Sequence, residues 1–186
     1  MIGAAFTVAT EGTPTGNANM FPSNGKPSFS IDDGLSSKYR NFGEINTGFV
    51  ITPSFNSHNG GTFVTRLNFA TAIDAPKRDP LTFTLEGTNG DPLTGIYTLI
   101  ASGSTGFESD PGRSTYRTSG TFPGVGAFTS YRLIFPTVRD SALADSMQLG
   151  EVAIRGVAAP EASILSLLGI SAIGLMGTRR KRPVTE

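Results

Sequence analysis

The sequence predicts an all-β sandwich followed by a single C-terminal hydrophobic helix, and three observations carry that expectation. Residues 62–87 read as a strand, a proline-bracketed polar loop and a second strand. At least seven short runs of β-branched and aromatic residues recur between loops rich in Gly, Pro, Asn and Ser, with no amphipathic helix before Pro160. Beyond Pro160 the rhythm changes: residues 162–177 carry no charge and are rich in Leu, Ile, Ala and Gly, and Arg179, Arg180, Lys181 and Arg182 follow.

In the stretch 62–87, Phe63, Leu67 and Phe69 are expected on one face and Arg66 and Asn68 on the other, the period of two of a half-buried strand. Residues 82–85 repeat the pattern, while Pro76 and Pro80 enclose charges that neither strand nor helix should cross intact.

Taken from the start, residues 5–10 suit a first strand. Residues 2–9 are a poor signal peptide, short and without a basic residue ahead of them. Residues 11–30 form a meandering loop. Strands are then expected at 48–53, at 96–101 with Ile96 and Ile100 on one face, weakly at 113–122, at 130–135 with Tyr131, Leu133 and Phe135 together, and as one last strand at 147–155.

The division is therefore a β domain over residues 1–157 and a tail over 158–186. The 15 basic and 15 acidic residues balance, but the tail holds four of the basic and two of the acidic ones, leaving residues 1–160 at a net charge of −2. A body without a basic excess disfavours nucleic acid as a partner. The absence of Cys removes disulfides and thiolate chemistry. At about 1.5 Å per residue, a helix over about 162–178 approaches the span of a bilayer core, with its basic end cytoplasmic.

Candidate chemistry lies in a few places. Residues 31–43, IDDGLSSKYRNFG, bring carboxylates and hydroxyls together as hard oxygen donors of the kind Ca²⁺ takes, or as an Asx-type turn with solvated carboxylates. Arg78 and Asp79, between Pro76 and Pro80, present a donor and an acceptor side by side, or else hold their own loop in shape. His58, the one histidine, is expected to face solvent. No Gly-X-Ser-X-Gly elbow, HExxH pair or phosphate-cradling loop is present, and Glu108 with Asp110 reads as a solvated pair rather than an acid–base couple.

The order Pro160–Glu161, apolar run 162–175 and Arg179–Arg182 resembles the PEP-CTERM sorting signal of Gram-negative bacteria, with Ala162 where the second proline usually stands. The resemblance implies an exosortase-type membrane protease as partner, transient anchoring in the inner membrane, then display or release outside the cell, often beside exopolysaccharide. Since such export also needs an N-terminal signal peptide, it implies a true start upstream of Met1 or a sequence that is a fragment. Residues 5–156 resemble discoidin-like, galactose-binding-type jelly-roll domains through IDDG at 31–34, KYRNFG at 38–43, GFVITPS at 48–54, DAPKRDP at 74–80, FTLEGTNG at 83–90, YTLIASG at 97–103, SYRLIFPTVRD at 130–140 and MQLGEVAIRG at 147–156. That likeness implies a structural Ca²⁺ held by Asp32 or Asp33, Ser37 and Glu151. It also implies ligand contacts on loops at one end, for which Tyr39, Arg40, Lys77, Arg78 and Asp79 are the candidates.

The expectation is a non-catalytic, exported module that binds carbohydrate of an extracellular matrix. A purely structural envelope or matrix protein is the alternative, and a polysaccharide-active enzyme stands last.

Overall fold

The computed structural model describes residues 6–8, 20–53 and 61–159, and the tail helix expected over about 162–178 lies outside them. Among the described residues ten strands form: β1 Phe6–Val8, β2 Tyr39–Asn41, β3 Thr47–Pro53, β4 Thr62–Ala70, β5 Thr82–Thr88, β6 Thr98–Ser104, β7 Tyr116–Thr121, β8 Ser130–Phe135, β9 Met147–Leu149 and β10 Glu151–Ala158. They pair antiparallel in three sheets, ordered β1-β3-β8-β5-β6, β10-β4-β7 and β2-β9. The all-β sandwich is as the sequence predicts.

Aromatic side chains fill the space between the sheets. Phe69 of β4 reaches Phe83 of β5 at 5.2 Å between ring centroids and Phe135 of β8 at 6.1 Å; Phe135 continues to Phe49 of β3 at 6.2 Å. Tyr131, Leu133 and Phe135 are fully buried together, as their alternation requires.

Four expectations are corrected. In β4 the buried residues are Thr62, Val64, Leu67, Phe69 and Ala70, and Phe63 is only half-buried. The cause is a bulge: Arg66 pairs with Arg155 and Val64 with Gly156, so Thr65 is skipped and the facing inverts across it. The loop after β4 does hold a single 3-10 turn, Pro76–Arg78, because a proline at the first helical position gives up no hydrogen bond. Ile96 precedes β6 and is 93% exposed, so it shares no face with Ile100. The last strand is two strands: Gly150 passes so close to the β4 end that a Cβ there would stand 2.5 Å from the Thr71 carbonyl oxygen.

Antiparallel strands gather their connections at two poles. Residues 31–46, 71–81, 105–115 and 136–146 lie at one; residues 88–97 and 121–129 lie at the other, where β10 also ends. The first set carries five, four, three and three charged residues respectively, and the second set only Asp91.

Candidate ligand-binding pole

The charged pole is organised around Asp79, whose side chain has no exposed surface. Arg113 grips it with two nitrogens, at 3.0 Å to Oδ1 and 2.7 Å to Oδ2, and Arg139 approaches Oδ2 at 3.5 Å. Arg113 also donates to Asp110 at 2.6 Å, and Arg139 to the carbonyl oxygens of Pro76 and Glu108. Three loops are thereby tied to one buried carboxylate. Bonding to Asp79 and Asp110 raises the Arg113 pKa above its ordinary value, so the guanidinium stays charged.

A second chain of charge lies at the surface. Arg78 takes Asp145 in a two-pronged grip, at 2.7 and 3.1 Å; Arg40 reaches the same carboxylate at 3.2 Å and donates to Ser146 Oγ at 2.9 Å. The Arg78 bond holds the Asp145 pKa down to about 2, so this exposed acceptor is ionised at any ordinary pH. The Arg40 guanidinium also sits 4.7 Å from the ring centroid of Phe42, which is 44% exposed. Beside it, Lys38 pairs with Asp74.

Next to these loops a groove of about 490 Å³ is lined by Ile45, Leu81, Thr82, Glu108, Thr137 and Val138 among others. That volume lies within the range of about 300–1,000 Å³ common for small-molecule sites. Thr82 and Thr137 share a hydrogen bond of 2.7 Å across it, and the Ser104 hydroxyl donates to Glu108, lowering that carboxyl's pKa.

Of the residues singled out in sequence, Arg40, Arg78 and Lys77 reach this surface, and Lys77 is exposed and enters none of the ion pairs among the described residues. Tyr39 and Asp79 do not reach it. Tyr39 has no exposed surface; its hydroxyl donates to the Gly48 carbonyl oxygen at 3.1 Å and its ring packs edge-on against Phe49. Its ring face is therefore closed to a sugar, and Asp79 serves the loops instead of a ligand. Sequence reasoning missed Phe42, although the period of two from buried Tyr39 and Asn41 leaves Arg40 and Phe42 on the outer side.

The oxygen-rich segment adopts an Asx turn: Asp32 Oδ1 accepts from the Gly34 N–H at 2.9 Å, and the Ser37 hydroxyl donates to Asp32. Glu151 faces it. That side chain is 2% exposed, receives backbone N–H groups of Asp32 and Val152, and leaves Oε2 without a partner. Burial, together with the Asp32 and Asp33 charges, pushes its pKa up to about 8. An orphaned carboxylate oxygen beside two further carboxylates is donor chemistry that suits a hard cation. Among the described residues, however, no group of three or more Asp, Glu, His or Cys is disposed to cage a metal. Pro160, Glu161, Arg179, Arg180, Lys181, Arg182 and His58 lie outside the described residues.

No family model and no curated protein sequence matches the chain. Solved structures share its fold. The family 32 carbohydrate-binding module of Clostridium perfringens NanJ, in complex with galactose, superposes with a TM-score of 0.53 at 10% identity, over 81% of this chain and 91% of that one. A module from a family 31 glycoside hydrolase of the same organism gives 0.61 at 7% identity over 82% and 92%. The F5/8 type C domain of a Bacteroides fragilis protein gives 0.57 at 8% identity over 84% and 94%. At such identities the likeness establishes the discoidin-like fold.

Proposed function

We propose that this chain is a non-catalytic carbohydrate-binding module whose charged pole takes a glycan of the extracellular matrix. The observation that carries the proposal is the exposed Phe42 ring held by Arg40, which in turn shares Asp145 with Arg78. An aromatic face for the C–H side of a sugar, next to fixed donors and an ionised acceptor for its hydroxyls, is what such a ligand requires. The neighbouring groove supplies further apolar wall and hydroxyls. The fold shared with modules such as the galactose-bound one adds weight.

The carboxylates of this pole favour binding over hydrolysis. Glu108, Asp110 and Asp145 all have pKa values below their ordinary ones, so none of them stores a proton for a leaving group near neutrality. Burial raises the pKa of Asp79 and of Glu151, but both side chains are buried, Asp79 under guanidinium groups, and neither faces a ligand on this surface.

In the same proposal a structural Ca²⁺ is held by Glu151 with Asp32 or Asp33 and Ser37, a reading supported by the unpartnered Glu151 Oε2, to which the ion would supply positive charge. The tail from Pro160 acts as an exosortase-type sorting signal, placing the domain transiently at the inner membrane and then outside the cell. The alternative of a structural envelope protein without a small ligand predicts the opposite result in one experiment. The full chain is applied to a glycan array and to the producer's own exopolysaccharide, with Phe42→Ala alongside. Binding that weakens in the variant supports the glycan role, and uniform absence of binding overturns it.

A further inference from the structure

The pole opposite the charged one differs from it in chemistry. Leu93 is 58% exposed, Ile96 93%, Val125 54% and Val157 63%, and all four lie on the loops or strand end gathered there. Apolar side chains are also exposed at the charged pole, but there they stand among fifteen charges. Here, among the described loop residues, Asp91 is alone, and its Oδ1 accepts the backbone N–H groups of Leu93 and Thr94 at 2.7 and 2.9 Å, so its charge is spent on its own turn.

These loops are also braced against each other. Asn89 donates to the Ala127 carbonyl oxygen and accepts from the Thr129 N–H, at 3.0 and 2.9 Å. Thr62 and Phe128 exchange backbone bonds at 2.9 and 3.0 Å, and the Ala159 N–H reaches the Gly61 carbonyl oxygen at 3.0 Å. The last of these bonds sets Ala159, the last described residue before the tail, at the uncharged pole, and in the sequence the uncharged run 162–177 begins within three residues of it.

We propose that the uncharged pole rests on a lipid bilayer, with Leu93, Ile96, Val125 and Val157 entering the interfacial layer around the point where the tail goes in. Separate apolar side chains on braced, almost uncharged loop tips suit insertion among lipid headgroups. The charged pole is then held facing away from the membrane. This inference rests on the membrane role of the tail, not on the glycan proposal, and the test separates its failure from that of the tail.

The chain has no tryptophan, so a single one is a reporter without background. Full-length Ile96→Trp, Val125→Trp and Leu143→Trp are each reconstituted with vesicles of phosphatidylglycerol and phosphatidylcholine brominated on the acyl chains. Leu143, 65% exposed in a charged-pole loop, is the control. The expected result is blue-shifted emission and strong quenching at positions 96 and 125, severalfold above that at 143. Vesicle-bound protein with equal, weak quenching at all three overturns the docking and leaves the tail's role standing. Emission at 96 that shifts without lipid and resists bromine assigns the pole to a second copy or to the chain's own tail, and overturns it too. Protein that fails to bind vesicles overturns both the docking and the membrane role of the tail.

Discussion

Arg113 holds Asp79 with two nitrogens, across 34 positions of sequence, at a carboxylate that has no contact with solvent. Removing Arg113 leaves the fully buried Asp79 carboxylate with Arg139 alone, at 3.5 Å. Arg113→Ala is expected to cost about 3–5 kcal/mol, because the desolvation of that carboxylate has already been incurred in the fold. Urea unfolding of the variant checks this, and a loss below about 1 kcal/mol would show that the loops at 71–81, 105–115 and 136–146 hold together without the clamp.

Phe42 and Tyr39 are three residues apart and should respond in opposite ways. Phe42→Ala is expected to leave stability within about 0.5 kcal/mol, as surface changes do, and to weaken glycan binding roughly tenfold. Tyr39→Phe removes the hydroxyl bonded to Gly48 and Asn41 and should cost about 1–3 kcal/mol of stability with no change in binding. Paired thermal melts and titration calorimetry read both.

Gly48 lies where β3 meets β8. A Cβ there would stand 1.9 Å from the Leu133 carbonyl oxygen, and both partners are backbone at the centre of the five-stranded sheet. Gly48→Ala is expected to destabilise by more than about 3 kcal/mol, enough to be read as loss of soluble folded protein. Near-normal melting would mean that β3 can shift its pairing.

Glu151 gives a pH dependence with a definite sign. Its folded pKa of about 8 stands above the ordinary 4.5, so between these values the folded chain keeps a proton that the unfolded chain has released. In chelator, the Glu151 contribution to stability should therefore be fully present below about pH 4.5 and be lost as pH rises toward 8. Added Ca²⁺ should flatten the decline and raise the melting temperature near neutrality, and Glu151→Gln should remove both effects. Melting curves that ignore Ca²⁺ while keeping the slope would discard the cation and retain the buried acid.

Much of the fold was legible because alternation reports which face is covered. Tyr131, Leu133 and Phe135 follow it without exception, and β4 and β5 form where the pattern places them. What was not legible depends on contacts remote in sequence. The skipped Thr65, which turns Val64 inward, exists only in the pairing with β10, and the break at Gly150 answers to the Thr71 carbonyl, 79 positions away. The site shows the same division. Arg40 and Arg78 could be chosen from their charge, but the Asp145 that joins them and the Arg113 that claims Asp79 lie in other loops. Tyr39 was a different kind of miss, since the outward position of Phe42 follows from the local period.

β7 is an outer strand of the three-stranded sheet, and its backbone edge, unpaired among the described residues, is where another molecule's strand could join. It is short, almost wholly exposed, built as Tyr-Arg-Thr-Ser-Gly-Thr, and its register against β4 slips between Arg66 and Asn68. Charge, polar side chains and an irregular ladder all oppose edge-to-edge growth. Crowded copies of this domain should thus remain separate molecules and not seed fibrils.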